Sequence, residues 1–304
     1  MDRVPYRGRF APTPSGPLHF GSLVAAAGSY LEAKSRGGQW GLRIDDLDPP
    51  RVAPGATESI LRCLEALGLE WDGPLLYQST RLPAYHAALH QLRQRGFLYP
   101  CACSRKELAD SALPGLSGPI YPGTCRDGLR HGRAARALRL RLENALVEFD
   151  DGLLGLQRRD LGREAGDFIV YRADRVYGFH LASAVDDGEM GITDVVRGAD
   201  LLESSARQIH VQHLLRLPSS RYVHLPVAVD RNGEKLSKQT KAVPLDAARP
   251  VAVLLAVLEF LNQRVPGELE RAPESITVAE FWRHALATWD LHRVGSRLQG
   301  QAPS

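Results

Sequence analysis

The sequence predicts an α/β protein of 304 residues built around a parallel sheet. Two stretches each follow the order strand, helix, strand, and strands joined through a helix in this way run parallel. A third stretch, between them, lacks regular periodicity and contains three of the four cysteines. We therefore expect two halves of one sheet, separated by an insertion.

The first half begins with a short strand at residues 9–11 and continues through a turn at residues 12–17 that is rich in Pro and Gly. A helical stretch over 21–36 and a strand over 39–44 complete a βαβ unit, which is typical of a Rossmann-type sheet. Helical periodicity predicts two further helices, at residues 57–67 and 83–95.

The second half contains strand-like runs on either side of one helix. We expect strands over residues 138–142, 167–171, 177–185, 192–197 and 222–229. The helix is predicted over 204–215, between the last two of these strands. Apolar residues at helical spacing predict two more helices, over 251–263 and 278–289.

The composition excludes some classes of protein. Hydrophobic residues make up 44% of the chain, yet no run approaches the roughly 18 apolar residues of a membrane span. Residues 1–7 lack the apolar core of a signal peptide, so we expect a cytoplasmic protein. A net charge of +3 permits a polyanionic partner without requiring one.

Residues 10–22 place a rigid turn and an imidazole at the start of the first long helix. Free backbone N–H groups and the helix dipole make such an end an anion site, and His19 can donate to phosphate oxygens. Gly21 would let a nucleotide approach the backbone closely. The alternative is an ordinary turn with a helix-capping Ser.

A second candidate anion site follows at residues 232–239. The chain has 33 arginines and five lysines, and three of the five lysines are Lys235, Lys238 and Lys241. Lysine is a mobile point charge that suits a pyrophosphate whose charge shifts as it leaves. A lysine-rich loop can equally be a solvated surface, although this chain otherwise uses arginine.

These two segments resemble signature motifs of one enzyme family. The runs His19-Phe20-Gly21-Ser22 and Lys235-Leu236-Ser237-Lys238-Gln239 resemble the HIGH and KMSKS motifs of class I aminoacyl-tRNA synthetases. Flanking stretches at residues 9–16, 42–48, 196–200 and 206–209 are similar to those of glutamyl-tRNA synthetases. The Leu47-Asp48-Pro49-Pro50-Arg51 run and the shortness of the chain resemble truncated paralogues that attach glutamate to the queuosine base of tRNA(Asp).

The resemblance implies a glutamate pocket. Its residues would be Arg9, Ala11, Thr13, Asp45, Phe179 and Arg197. An arginine can hold a carboxylate through two parallel hydrogen bonds, and a carboxylate can hold the substrate ammonium. Surface positions for Arg9 and Arg197, and core packing for Phe179, are the alternatives.

Two residues of this pocket depart from the family pattern. Asp45 stands where the family usually has Glu, so its carboxylate is one methylene shorter. Phe179 stands where the family usually has Tyr and cannot donate an O–H bond. If residues 177–185 form a strand, Tyr177 lies on the same face as Phe179.

The cysteines of the irregular stretch suggest a metal site. Cys101, Cys103 and Cys125 supply thiols and Tyr121 a phenol, while Zn²⁺ takes four tetrahedral ligands and prefers thiolate. Cysteine is also an ordinary core residue, the interpretation we give to Cys63. The family's Cys-x-Cys, Tyr-x-x-x-Cys pattern is matched at all four positions, which implies one structural zinc per chain.

The resemblance also implies a reaction and its partners. L-glutamate and ATP, the latter with Mg²⁺, would form glutamyl-adenylate, and the glutamate would pass to the queuosine-bearing anticodon arm of tRNA(Asp). His19, Lys235 and Lys238 would be catalytic, and His19, Gly21 and Lys238 would bind ATP. We expect a monomer.

Three other functions fit parts of the pattern. A conventional glutamyl- or glutaminyl-tRNA synthetase would charge the 3′ end, and a paralogue that only binds tRNA would need no catalysis. A nucleotidyltransferase of the same fold would lack the glutamate-type flanks.

The same resemblance divides the chain into four parts. Residues 1–97 and 137–249 would be the two halves of the Rossmann-type catalytic domain, the second with the lysine loop. Residues 98–136 would be a zinc-binding insertion, and residues 250–304 a C-terminal helical region.

Overall fold

A computed structural model describes residues 5–111, 113, 120–143, 145–231, 233–235, 249–265 and 273–302. Its helices are α1 (Phe20–Ser35), α2 (Ala56–Ala66), α3 (Leu82–Gln94), α4 (Arg105–Ser111), α5 (Leu161–Glu164), α6 (Phe179–Glu189), α7 (Leu202–Leu215), α8 (Pro250–Phe260), α9 (Val278–Thr288) and α10 (Leu291–Val294). Within the described ranges, none of these helices has the length and apolarity needed to cross a membrane.

The strands are mostly short. They are β1 (Arg7–Phe10), β2 (Gln39–Ile44), β3 (Leu76–Tyr77), β4 (Leu98–Cys101), β5 (Ala137–Leu140), β6 (Leu146–Asp151), β7 (Gly155–Asp160), β8 (Ile169–Tyr171), β9 (Asp194–Gly198), β10 (Arg221–Leu225), β11 (Val227–Val229) and β12 (Gln299–Gln301).

The first predicted βαβ unit is confirmed. Strands β1 and β2 are parallel neighbours, with Arg9 opposite Gly41, and α1 connects them. Ten of the sixteen residues of α1 are buried, because this helix is covered by the sheet on one side and contacts α8 and α9. A Cβ on Gly28 would lie 2.4 Å from Leu225 Cδ1, so only glycine permits this approach of α1 to β10.

The second predicted βαβ unit, formed by β9, α7 and β10, is also confirmed. Strands β9 and β10 are parallel, with Arg197 opposite His224. Strand β9 lies beside β1, because the N–H of Thr193 donates to the carbonyl of Arg7 at 3.0 Å. The carboxyl ends of β1 and β9 therefore meet beside the N-terminus of α1.

The prediction of a strand over residues 177–185 is wrong, because the chain forms helix α6 from Phe179 onward. Seven consecutive residues of α6, from Leu181 to Asp187, are buried. A helix buried on all sides has no polar face, so its apolar run has no period that distinguishes it from a buried strand.

The strand predicted over 222–229 is divided at Pro226 into β10 and β11. Proline lacks the N–H that a continuous ladder would need at this position. The antiparallel hairpin of β6 and β7, which sequence analysis did not identify, adds an edge to β10.

Buried apolar side chains form three clusters. The first surrounds α1, α8 and α9, and the second lies among α3, α6, α7 and the strands beside them. In the described part of the chain, the buried residues of the third are Tyr99, Cys101, Tyr121 and Cys125. Strands β4, β5 and β8 form an antiparallel sheet next to this small cluster.

Candidate active site

A cavity of about 480 Å³ opens at the carboxyl ends of β1 and β9, beside the first turn of α1. This edge of a parallel sheet is where α/β proteins commonly bind ligands. Nine of the residues proposed from the sequence line the cavity, namely Arg9, Ala11, Thr13, His19, Gly21, Asp45, Phe179, Arg197 and Lys235. The sequence motifs thus converge on one site.

His19 is the N-cap of α1. Its Nδ1 accepts a hydrogen bond from the N–H of Ser22 at 3.3 Å, and its Nε2 lies 3.0 Å from the Ser22 hydroxyl. The helix is therefore capped by the imidazole and not by a serine. The first turn of α1 faces the cavity through His19, Gly21 and Ser22.

Gly21 keeps this end of the helix open. A Cβ at this position would lie 3.3 Å from two atoms of the His19 ring. The contact is tight enough to require the imidazole to shift.

The floor of the cavity contains a buried network of charges. Arg9 donates to both carboxylate oxygens of Asp187, at 3.0 and 3.1 Å. Arg43 donates to Asp45 and to Asp187, at 2.7 Å in each case. Arg9 and Asp45 are thus held in place by partners that the sequence analysis did not propose.

Burial and the two arginines shift the pKa values of the two aspartates of this network in opposite directions. Burial raises the pKa of Asp45 to about 6, against the opposing effect of the Arg43 guanidinium. Burial has the same tendency at Asp187, but Arg9 and Arg43 outweigh it and hold the pKa of Asp187 well below its usual range. Asp187 is therefore a permanent anion, whereas Asp45 is ionised only above mildly acidic pH.

Asp186 extends the network away from the cavity. Its carboxylate accepts hydrogen bonds from Gln78, Arg81 and Tyr85. The sequence signal for these residues is charge within apolar segments, since Arg43 lies in a buried strand and both aspartates follow the apolar run of α6. Such charges are rarely buried unless they are paired.

Arg197 differs from Arg9 because, among the described residues, no carboxylate forms an ion pair with it. Its guanidinium is 6% exposed and donates to Gln208 at 2.8 Å and to Ser205 at 2.7 Å. Burial lowers the pKa of Arg197 to about 10, so the group is still cationic at neutral pH. Within the described part of the chain, the nearby Ser183 Oγ and Gln208 Nε2 are buried without hydrogen-bond partners.

Phe179 is the first residue of α6 and is 41% exposed at the cavity. Tyr177 does not share its face, because the backbone there is not a strand. The ring of Tyr177 instead packs against Tyr85 and Tyr171, outside the cavity lining. The condition under which Tyr177 would share a face with Phe179 is therefore not met.

Lys235 reaches the cavity from the opposite side. Its Nζ donates to Asp200 at 2.7 Å, and both side chains line the cavity. Lys238, together with Leu236, Ser237 and Gln239, lies outside the described residues.

The predicted metal ligands lie together in the third cluster. The Sγ atoms of Cys101, Cys103 and Cys125 are all within 4.8 Å of one another. The Tyr121 hydroxyl oxygen lies 3.6 Å from the sulfurs of Cys101 and Cys103, and it accepts a hydrogen bond from the N–H of Cys125 at 2.9 Å.

These spacings fit a tetrahedral zinc site. Zinc–sulfur bonds of ~2.3 Å in a tetrahedron place sulfur atoms ~3.8 Å apart. The observed Cys103–Cys125 sulfur distance is 3.6 Å. Cys63, in α2, lies apart from this cluster and packs against the first core, as predicted.

Comparisons with known proteins agree on one family. Residues 5–248 match the family model described as tRNA synthetases class I (E and Q), catalytic domain. A glutamyl-Q tRNA(Asp) synthetase of Aromatoleum aromaticum is 52% identical over 98% of this chain and 93% of the relative. The enzyme of the same name from Dechloromonas aromatica is also 52% identical, over 95% of this chain and 96% of the relative.

A comparison with solved structures shows the same fold at lower identity. A glutamate tRNA ligase from Elizabethkingia meningosepticum superposes with a TM-score of 0.80 and 23% identity. The match covers 99% of this chain and 67% of that structure.

Proposed function

Because the chain belongs to the class I glutamyl- and glutaminyl-tRNA synthetase family, and within it to the glutamyl-Q tRNA(Asp) synthetases, we propose that it transfers glutamate to queuosine in tRNA(Asp). It is a ligase-type enzyme. The acceptor would be the queuosine base at the wobble position, and ATP would drive the reaction. The names of relatives at about half identity over nearly the whole chain support this acceptor.

The observation that carries the proposal is Arg197. A buried guanidinium in a cavity, with no carboxylate paired to it among the described residues, favours a ligand that brings a carboxylate. Arg9 fits this role less well, since Asp187 already holds it through both oxygens. Arg197 would therefore receive the side-chain carboxylate of glutamate.

The rest of the pocket would fix the other end of the substrate. Asp45, when ionised, would receive the α-ammonium group. Ala11, Thr13 and Phe179 would line the space between these two charges, and Arg9 would remain near the ammonium end as part of the network. A bound ammonium would favour the anionic form of Asp45.

The chemistry would proceed in two steps. The α-carboxylate oxygen of glutamate attacks the α-phosphorus of ATP, forming glutamyl-adenylate and releasing pyrophosphate. A hydroxyl of the tRNA base then attacks the activated carbonyl, forms an ester and releases AMP. Neither step needs a nucleophile from the enzyme, so rate enhancement would come from positioning and charge stabilisation.

The phosphates would lie at the first turn of α1. His19 and the helix N-terminus would contact them, and Gly21 would admit them. Lys235 and Lys238 would stabilise the charge on pyrophosphate as it leaves, and ATP would bring Mg²⁺. Lys235 would exchange its bond to Asp200 for the phosphate.

The cysteine cluster would hold one structural zinc ion. Cys101, Cys103, Tyr121 and Cys125 would be its four ligands, because the three sulfurs lie within 4.8 Å of one another and the Tyr121 oxygen is 3.6 Å from two of them. A site with four protein ligands has no open position, so the ion would hold residues 98–136 in shape and take no part in the reaction.

The proposal is tested with labelled glutamate. The protein alone should catalyse glutamate-dependent exchange of pyrophosphate into ATP. It should then label an isolated anticodon arm of tRNA(Asp) that carries queuosine. We expect the protein to act as a monomer, and to do so in the cytoplasm. The same arm with guanosine at the wobble position is the matched control and should stay unlabelled.

Each outcome separates one part of the proposal from the other. Because the arm lacks the acceptor end of tRNA, label that appears on the queuosine arm and not on the guanosine arm must be on the queuosine. Label on the 3′ end of whole tRNA, with none on the queuosine arm, would identify a conventional glutamyl-tRNA synthetase. Absence of exchange would contradict adenylate formation itself.

A further inference from the structure

A row of three buried side chains leads from the protein interior to Arg197. Asp151 ends β6, His224 lies in β10, and Ser205 lies in α7. His224 Nδ1 is 2.6 Å from Asp151 Oδ2, and its Nε2 is 2.9 Å from Ser205 Oγ. Ser205 Oγ accepts a hydrogen bond from the Arg197 guanidinium at 2.7 Å.

The row is not a nucleophilic triad, although its order is serine, histidine, aspartate. Ser205 is completely buried and does not line the cavity. Its oxygen is also engaged by Arg197. No substrate carbonyl can reach Ser205, so the row can act only through the group at its end.

The backbone around Asp151 determines where the imidazole proton lies. Asp151 Oδ1 accepts from the N–H groups of Leu153 and Leu154, at 3.1 and 3.0 Å. Oδ2 is thereby left for His224 Nδ1. An ionised carboxylate can only accept, so the proton of the neutral imidazole lies on Nδ1 and Nε2 is an acceptor.

An acceptor at Nε2 suits the neighbours of His224. The Ser205 hydroxyl can donate to Nε2 at 2.9 Å or to the carbonyl of Leu201 at 3.3 Å, and Nε2 is the nearer acceptor. The Ser205 oxygen meanwhile receives an N–H of Arg197. The Nε–H of Arg197 also points to Nε2, at 3.5 Å. A proton on Nε2 would instead oppose the N–H of the guanidinium.

The remaining contacts complete the orientation of the guanidinium. Gln208 accepts from Nη1 at 2.8 Å, and the Tyr222 ring lies under the guanidinium at 5.3 Å. His224 stacks parallel to Tyr222, with 2° between the ring planes. The plane of Arg197 is thus fixed on one side by uncharged acceptors, which leaves its charge available to a ligand.

We propose that Asp151, His224 and Ser205 are positioning residues for Arg197. They orient its guanidinium, without neutralising it, to bind the side-chain carboxylate of the amino-acid substrate. The inference rests on the proposed function in one respect, since it takes glutamate as the ligand of Arg197. The three residues themselves do not touch the substrate.

Asp151→Asn tests the proposal by replacing one carboxylate oxygen with an NH₂ group. The amide oxygen must remain at the Oδ1 position, because two backbone N–H groups donate there. The amide NH₂ then faces His224 Nδ1 and forces the imidazole proton onto Nε2. The N–H of Nε2 now opposes Arg197 while the size of the side chain is unchanged.

Two measurements follow this change. In ¹⁵N-histidine spectra, His224 of the unaltered protein should be neutral with an unprotonated Nε2, and Asp151→Asn should reverse the tautomer. In pyrophosphate exchange, the variant should raise the KM for glutamate about tenfold or more, the worth of a hydrogen bond to a charged group. The KM for ATP and kcat should change much less.

Asp194→Asn is the matched control. Asp194 is another buried carboxylate of this sheet, and it pairs with Arg221 at the opposite end of β9. Its substitution should leave the His224 tautomer and the KM for glutamate unchanged. An equal rise in KM in both variants would show a general loss of stability and would overturn the proposal.

Other results bear on one hypothesis at a time. A protonated Nε2 in the unaltered protein would overturn the positioning role whatever the substrate is. Retention of the normal KM for glutamate in Asp151→Asn, with the tautomer reversed, would do the same. If the unaltered protein catalyses no exchange with glutamate, the proposed function fails. The positioning role is then still decided by the His224 tautomer and by whether the ¹⁵Nε signal of Arg197 shifts in Asp151→Asn but not in Asp194→Asn.

Discussion

At the scale of single residues, Asp45 shows how burial can shape a binding site. Its carboxylate is one methylene shorter than the glutamate usual in the family, and Arg43 holds it at 2.7 Å. Burial raises the pKa of Asp45 to about 6. The group proposed to receive the substrate ammonium is therefore partly protonated in mildly acidic solution.

This pKa predicts a pH dependence of glutamate activation. Above about pH 6 Asp45 is ionised and can bind the ammonium group, whereas below it protonation removes the charge. The value of kcat/KM for glutamate in pyrophosphate exchange should therefore fall about tenfold per pH unit on the acid side. Asp45→Asn should be low and flat across this range, and Asp45→Glu should keep a pH-dependent profile.

The ATP profile is the control for other titrating groups. With glutamate saturating, kcat/KM for ATP should show a weaker dependence near pH 6, because Asp45 does not contact the phosphates. An Asp45→Asn variant that retains the acid limb of the glutamate profile would assign that limb to a different residue.

The residues that line the cavity could be predicted from the sequence, but the hydrogen bonds and ion pairs between them could not. His19, Asp45 and Arg197 follow or precede strand ends in sequence, so their convergence at one edge of the sheet follows from the βαβ order. The bond between Arg9 and Asp187 joins residues 178 positions apart. No local pattern specifies which buried carboxylate meets which arginine.

At the scale of secondary-structure elements, the N-terminus of α1 is the feature most directly tied to ATP. Its first turn faces the cavity, and Gly21 is its second residue. Gly21→Ala should leave the fold intact, since alanine favours helix by ~1 kcal/mol over glycine. The added methyl would displace the His19 ring and occupy the path of the phosphates.

We expect Gly21→Ala to raise the KM for ATP by about tenfold, which corresponds to ~1.4 kcal/mol, with little change in the KM for glutamate. Gly162→Ala is a matched control, because Gly162 is the second residue of α5 and lies away from the cavity. Equal effects of the two substitutions, or an unchanged KM for ATP in Gly21→Ala, would contradict a phosphate site at α1.

Elements also show where sequence periodicity stops being informative. Helices α2 and α3 were predicted to within a residue at each end, because each has one buried and one exposed face. Helix α6 was mistaken for a strand because residues 181–187 are all buried, which leaves no polar face to mark the helical period. The hairpin of β6 and β7 was missed, because Leu156 is the one large apolar residue of β7 and its side chain is exposed.

At the scale of the whole molecule, the three cores are very unequal. Among the residues that the structure describes, the first two contain most of the buried side chains and enclose the cavity, whereas the third has four buried residues, two of them cysteines. The apolar surface that these described residues bury is small for a segment of this length, which favours a further cross-link. A metal cross-link would supply the missing stability without altering the cavity.

We therefore predict one zinc ion per chain, measured by elemental analysis of freshly purified protein. Cys103→Ser should lower the zinc content and increase proteolysis within residues 98–136, while glutamate-dependent exchange stays within about twofold, because the cavity belongs to the other two cores. Cys63→Ser, which changes a cysteine packed against the first core, should keep both zinc and protease resistance. Purified protein without metal, or equal loss of zinc in both variants, would refute the zinc site. Loss of exchange in Cys103→Ser alone would mean that the cluster supports the cavity as well as the insertion.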